Sequence, residues 1–544
     1  MDSKILDRRG FIAGASAAIA GAFGLGLAAC AAPAAAPAAS DTPTAASGEA
    51  LGDAIWRLEE VGEPTETLSA DLVVIGGGGT GMAAALQASQ LGLNPIIVEK
   101  MGALGGAYIC TEGMCAFGSS LQKENGIDIT VEYAIDKCME YHHWIPDRTI
   151  YESFFNESAE TIDWCLEQGI EYSAVVPLAG TKSLDCFHVW HHIEGRSPGS
   201  QASDALIKAV GDAGIETFLS TSARKILMED GKVVGALVEK EDGTIAKIES
   251  SAVLIATGGF GKNDDMIAQL AKCRCSAWEL GVPGRDGDGM KLGVNAGADI
   301  WDFQTVLFCG PVTTGAPWAT PVWCLSVQPL LWINQKAKRF TREDIFAENF
   351  AFAGNLTKAQ ERVYVILTEK DLTAFETVGP YATVFTLAFE GEPMVGIKER
   401  LNEVSNSHGS VFSADTLEEL AALIDVNPAA LVETVESYNG LAAAGEDKDF
   451  AKAAQYLYPV EEGPYYALDC SVGVLATAGG LRINAATECL DANFEVIPGL
   501  YAGGNDAGGL FGDTYDPNIA PGSMAGWAIN SGRTAAKSIA QYLG

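Results

Sequence analysis

Residues 70–100 read ADLVVIGGGGTGMAAALQASQLGLNPIIVEK, and few folds can accommodate such a stretch. LVVI is a short apolar run rich in β-branched residues, as a buried strand requires. GGGGTG follows at 76–81, and an Ala-rich helical pattern follows that. NPIIVEK then supplies a second apolar strand, closing on Glu99 and Lys100. Strand, glycine turn, helix and strand in that order begin a doubly wound α/β sheet. Gly76, Gly78 and Gly81 satisfy a G-x-G-x-x-G spacing, with Gly79 and Thr80 between. The first glycine permits the tight turn. The second admits a diphosphate, which the helix N-terminus then stabilises. Glu99 lies 18 residues past Gly81, where an acid binds a ribose hydroxyl.

Further glycine turns recur along the chain. Gly105, Gly106 and Ala107 lie just beyond the acid. AVLIATGGF is a second buried strand that ends on Thr257, Gly258 and Gly259. GLYAGGNDAGG is a third, with Gly504 and Asn505 in its turn, and PGSM then opens a helix. One glycine turn can hold a diphosphate; several convergent turns are needed to enclose FAD and fix its ring system. The expected cofactor is therefore FAD rather than NAD. Backbone N–H groups of Gly522, Ser523 and Met524 are expected to face the flavin O2 position, where a helix N-terminus stabilises negative charge. Asp288, in GRDGDGMKLGVNAGA, completes the candidate cofactor set.

The N-terminus predicts export. Arg8-Arg9 precedes the apolar run GFIAGASAAIAGAFGLGLAAC, a twin-arginine pattern for proteins exported already folded. LAAC has the form of a lipoprotein box ending at Cys30. Two outcomes stand, a lipid tether at Cys30 or ordinary cleavage in the same Ala-rich stretch. The expected location is periplasmic or on the outer face of the cytoplasmic membrane, with a Cys30 lipid as the only membrane attachment. Residues 1–30 form this segment and 31–68 a linker that begins Ala/Pro-rich, with order starting near Ser69. A formal net charge of −36 argues against nucleic acid as a partner and favours solubility; an acidic face docking a basic redox protein is the other reading. None of the 12 cysteines falls in CxxC or CxxCH, so c-type haem attachment is not expected; the Cys273/Cys275 and Cys110/Cys115 spacings read as buried thiols rather than an iron–sulfur run. No metal is expected.

Helical patterning runs around 130–168. ARKILMEDGKVVGALVEKEDG predicts antiparallel strands with turns at Asp230-Gly231 and Asp242-Gly243. The closing helix is predicted from about Ser523. The expected architecture is α/β: a Rossmann-like FAD-binding domain (69–265 and 465–544) with an inserted α+β capping domain (266–464).

The motifs VVIGGGGTGMAAALQA, LIATGGFGKN, GRDGDGMKLGVNAGA, NQKAKRFTRE and GLYAGGNDAGG…SGRTAA together resemble the fumarate reductase, urocanate reductase and 3-ketosteroid dehydrogenase group of FAD enzymes. The likeness spans residues 71 to 540. It implies substrate held between the two domains and hydride transfer between flavin N5 and a carbon–carbon bond. It breaks where fumarate reductases clamp a dicarboxylate. Ala347 stands at the place of the acid arginine, with Arg342 close but out of register. Leu475 and Ala476 replace two histidines, Cys309 falls near a third, and Tyr515 lies where the last arginine would be. A bare dicarboxylate loses its charge-assisted partners there. The resemblance instead aligns Tyr515 with a tyrosine that binds a carbonyl oxygen in ketosteroid dehydrogenases.

Trp301, Trp318, Trp323 and Trp332, with Phe303, Phe308 and Cys309, read either as an apolar slot or as ordinary core. Candidate proton donors are Tyr515, Arg342, Arg285 and the histidines 188, 191 and 192. The expected activity is FAD-dependent reduction of an activated C=C bond in an apolar or aromatic, carbonyl-conjugated small molecule. Electrons would come from a separate cytochrome or quinol-linked donor. Alternatives are a ketosteroid-type dehydrogenase, a carboxylate reductase, and a flavin-bearing carrier or ligand-binding lipoprotein.

Overall fold

The computed structural model describes residues 54–177, 187–195, 197–273, 282–316, 320–384 and 387–544. The export segment, Cys30, Trp318 and Cys275 lie outside them. A central six-stranded sheet runs in the order Glu488–Leu490, Val496–Ala502, Val253–Ile255, Leu72–Ile75, Pro95–Val98, Glu216–Phe218. Its inner pairs are parallel and only Glu488–Leu490 is antiparallel. Leu72–Ile75, Pro95–Val98 and Val253–Ile255 are buried throughout, as their unbroken apolar runs require in a sheet covered on both faces. Helices Gly79–Gln90 and Ser523–Leu543 pack together over it, so the chain's two ends close the same core.

The predicted hairpins form as strands Ser222–Glu229, Lys232–Glu239 and Ile245–Glu249, with turns at the expected Asp-Gly pairs. Order starts earlier than Ser69, however. Glu66–Ser69 pairs in parallel with Ile245–Glu249, and Asn295 donates to the Trp56 carbonyl at 2.8 Å. Strand pairing and the burial of Ile55 overcome the polar composition there. The 130–168 pattern resolves into helices Val131–Tyr141 and Arg148–Glu167, separated at His143 and Trp144, both at positive φ.

A second sheet carries strands Val306–Thr313, Tyr465–Thr477, Val363–Thr368 and Leu331–Asn334, with Val411–Ala414 beside Tyr465–Thr477. Tyr465–Thr477 therefore pairs with the sheet built largely from 306–414, and the chain returns to the parallel sheet only after Thr477. Beside this sheet lies a buried ion network. Arg339 bonds Glu343 at 2.8 and 2.9 Å and Asp447 at 2.8 and 3.2 Å, and Lys452 lies 3.3 Å from Glu343. The side chains of Glu343, Asp447 and Lys452 have no solvent exposure. Removing one partner strands buried charge, so Arg339→Met is expected to cost about 3–5 kcal/mol in urea unfolding.

Candidate functional site

The first glycine turn is set by steric necessity. Gly76 has φ +106°, and a Cβ there would overlap the Ala256 carbonyl. A Cβ on Gly81 would overlap the Gly76 carbonyl oxygen. Gly78 differs: a Cβ on it meets only the Gly105 carbonyl, at 3.9 Å, so its outer side is open. Gly105 donates to the Gly77 carbonyl at 2.9 Å and lies at φ +116°, with Gly106 folded over Gly78. Ala107 is half-buried behind them. Backbone crowded on one side and open on the other, at the start of helix Gly79–Gln90, fits a diphosphate.

At the strand end, Glu99 accepts from the Gly77 and Met101 N–H groups, each at 2.7 Å. Each carboxylate oxygen keeps a lone pair for a ribose hydroxyl. Glu99 lines a cavity shared with Gly76, Lys100, Thr257, Gly284 and Asp288. Lys100 bonds Asp286 at 2.6 Å and Asp288 at 2.8 Å; burial opposes its charge, but these two carboxylates win and raise its pKa.

Asp506 joins the second and third turns. Its carboxylate accepts from Thr257 Oγ1 at 3.0 Å and from the Gly258 and Gly259 N–H groups at 2.9 and 3.2 Å. Burial pushes its pKa up to about 6 against these bonds. Gly504 donates to Ser531 Oγ at 2.9 Å and lies against Thr80, and Asn505 backs Gly259. Gly522, at φ +76°, caps the last helix, with Ser523 buried and Met524 half-buried in its first turn. The glycine cradle and Glu99 suit the diphosphate and ribose of FAD, but the helix start differs from expectation: the Gly522 N–H is taken by Tyr515 Oη at 3.2 Å and the Ser523 N–H by the Ala520 carbonyl at 3.0 Å, because the turn into the helix closes on itself there.

Tyr515 stands beside this last turn. Its Oη accepts the Gly522 N–H at 3.2 Å, beside the Ser523 hydroxyl. Burial raises its pKa, eased by Ser523 and Gly522, so the phenol stays protonated. Tyr515 also belongs to a run of rings: Trp323–Phe346 at 6.1 Å, Phe346–Phe350 at 6.4 Å, Phe350–Tyr515 at 6.2 Å and Phe511–Tyr515 at 5.6 Å. Behind it, Asn349 Nδ2 donates to Tyr141 Oη and to Asn518 Oδ1, both at 2.8 Å, and Tyr141 donates to the Tyr515 carbonyl at 3.1 Å.

The other candidates fall elsewhere. The Arg342 guanidinium pairs with Asp344 at 2.7 and 2.6 Å and with Glu348 at 3.1 Å. Arg285 is buried against Gly258, on the dinucleotide side rather than among the rings around Tyr515. His191 is buried, bonded to Ser119 at 2.6 Å and to the Val189 carbonyl at 3.0 Å, with burial lowering its pKa to about 4. His192 bonds Ser173 at 3.0 Å and His188 is exposed. Among the described residues of the anticipated aromatic slot, Trp323 joins the run; Trp318 lies outside the described residues. Trp301 lies under Arg482, Phe308 under Lys358, Trp332 bonds the Gln328 carbonyl, and Phe303 is exposed. Phe346 and Phe350 escaped the sequence reading; their i, i+4 spacing in FAENF was the available signal. The described cysteines are all free thiols, and none of the described residues groups as a metal site.

A scan against family models matches residues 71–517 to the FAD binding domain family. Vinyl phenol reductase from Lactiplantibacillus plantarum is 32% identical over 485 residues, 87% of this chain and 97% of that protein. Fumarate reductase (cytochrome) from Shewanella frigidimarina is 27% identical over 474 residues, 87% and 77% of the two chains. Among solved structures, 3-ketosteroid delta1-dehydrogenase from Sterolibacterium denitrificans superposes with a TM-score of 0.70 at 19% identity, covering 87% of this chain and 99% of that one, a likeness of fold.

Two outcomes follow from this geometry. Gly81→Ala is expected to purify without bound flavin, with FAD affinity down by about 100-fold or more in fluorescence titration, since the helix must move off the turn. Asp516, buried like Asp506, also has its pKa pushed up to about 6. A raised carboxyl contributes fully below its unfolded pKa near 4, and the contribution is lost as pH climbs through about 6. The stability of the wild type relative to Asp516→Asn should therefore fall by about 2–3 kcal/mol between pH 4 and pH 7, as read by urea midpoints.

Proposed function

The chain belongs to the FAD binding domain family and is an FAD-dependent oxidoreductase, and on that premise we propose that it reduces an activated C=C bond in a neutral, apolar or aromatic, carbonyl-conjugated small molecule. The observation that carries this reading is the run of rings from Trp323 to Phe511 around Tyr515; the family resemblance supports it by implying that Ala347, Leu475, Ala476 and Cys309 stand where a dicarboxylate would need cations or imidazoles. A flat substrate stacks against such a wall without desolvating charge. The glycine cradle and Glu99 would hold FAD, which when bound would supply the hydride. Tyr515 hydrogen-bonds the substrate carbonyl oxygen and stabilises the charge that develops there as hydride adds to the β-carbon, and a proton from a site acid, delivered to the adjacent carbon, completes the reduction. The Gly522 N–H, by bonding Tyr515 Oη, fixes the direction of that donor. The name of the first relative, a vinyl phenol reductase, fits the apolar, aromatic part of this class.

We further propose that electrons arrive from a separate donor, since no haem-attachment motif occurs in the sequence, and that the twin-arginine segment exports the folded, FAD-loaded protein, with Cys30 as its lipid tether. No described helix is long and apolar enough to cross a membrane.

The test is anaerobic. FAD-loaded protein reduced with a viologen is mixed with a vinyl phenol, a cinnamate ester, an enone, urocanate and fumarate in turn. Flavin reoxidation by one of the first three at about 100 times the fumarate rate or more is expected. Reoxidation by fumarate as fast as by the best of them overturns the reading. Tyr515→Phe should retain FAD and slow reoxidation by about 10²–10³-fold.

A further inference from the structure

Asp516 follows Tyr515 and is 1% exposed. Its Oδ1 accepts the N–H groups of Asn518 at 3.0 Å and Ile519 at 2.8 Å, and its Oδ2 lies 3.9 Å from Cys138 Sγ. The two Oδ1 bonds fold the loop back on itself and set the direction in which Tyr515 leaves it. The groups facing Asp516 are Cys138 and Tyr141 from helix Val131–Tyr141, Tyr151 from helix Arg148–Glu167, Cys115 from strand Gly113–Cys115, and Tyr515 of its own loop. Asp513, also in that loop, is turned outward to His143 at 3.1 Å. None of these facing groups is a cation, and among the described residues Asp516 forms no ion pair. A carboxylate so placed has only backbone amides and a thiol to offset burial. When it does carry charge, that charge reaches the Tyr515 phenol and raises its pKa.

We propose that Asp516 is a positioning and specificity residue, which as a neutral acid seats Tyr515 and as a carboxylate rejects negative charge on the oxygen that Tyr515 holds. The inference rests on the reading of Tyr515 as the substrate-oxygen donor. A second negative charge beside the first, in a site poor in water, is disfavoured by an order of magnitude or more. Anionic ligands are thus penalised twice, by the absence of a cationic clamp and by Asp516. For a neutral substrate the penalty falls on the charge developing during reduction, so the site works best while the acid keeps its proton. No proton transfer from Asp516 is required.

The test uses the oxidised, FAD-loaded protein and 4-nitrophenol, whose absorption separates phenol from phenolate, over pH 5 to 8. Asp516→Asn keeps an oxygen for the turn and removes the charge. It is expected to bind the phenolate about tenfold more tightly than the wild type at pH 8, and within about twofold of it at pH 5. In the wild type alone, phenolate affinity is expected to fall about tenfold from pH 5 to pH 8, a readout that stands if the variant does not fold. Equal phenolate affinities in the two proteins at pH 8, or a wild-type affinity flat with pH, overturns the proposal. Tyr515→Phe separates the two ideas. If it leaves binding unchanged while Asp516→Asn still tightens it, the reading of Tyr515 fails and the electrostatic role of Asp516 stands.

Discussion

Everything in this molecule is registered to one approach of backbone on backbone. The Gly76 carbonyl fills the space where Gly81 would carry a side chain, and the Ala256 carbonyl does the same for Gly76. The strand Leu72–Ile75 is thereby fixed to its helix and to the neighbouring strand Val253–Ile255. Gly532, set against the Thr80 carbonyl, extends the constraint to the last helix. Because that helix begins at Gly522, the position of the flavin end of the site is set by contacts made at its diphosphate end.

The loop 511–522 is where the two sheets' territories meet. Its turn is held from within by Asp516 and from outside by Tyr141, on the Tyr515 carbonyl, and by Asn349, on Asn518. Asn349 is also the cap of helix Phe350–Lys358, whose first residue packs on Tyr515. One asparagine therefore starts the helix that supplies Phe350 to the aromatic wall and ties that helix to the loop carrying the phenol. The site needs both at once, since a hydrogen-bond donor without a surface to stack the substrate gives no orientation, and the surface alone gives no charge stabilisation.

The glycine turns were legible in the sequence because each reports a local demand: a strand end, a turn and a helix start within a few residues. Asp506 shows the limit of that reading. GGND marks the turn, yet nothing local says that its carboxylate holds Gly258 and Gly259, some 250 residues away. The aromatic wall was legible only in part for the same reason. Phe308 and Cys309 are neighbours on one strand, so their side chains leave by opposite faces; Phe308 goes to Lys358, and the expected grouping comes apart. Phe350, with Phe346 behind it, meets Tyr515 across roughly 165 residues of chain, a pairing that no local pattern contains. Arg342 looked like an available cation in sequence and is bound by Asp344 and Glu348, the first of them two residues away.

The central claim is that an aromatic substrate lies against Phe350 with its oxygen on Tyr515. The most direct measurement is a crystal structure of the FAD-loaded protein with a saturated product analogue, 4-ethylphenol. The account predicts the phenol oxygen within 3.2 Å of Tyr515 Oη, a hydrogen-bond distance, and the ring stacked on the Phe346–Phe350 wall above the flavin. A ring seated elsewhere, or one whose oxygen is bonded to Arg342 or Arg285 rather than Tyr515, would contradict it.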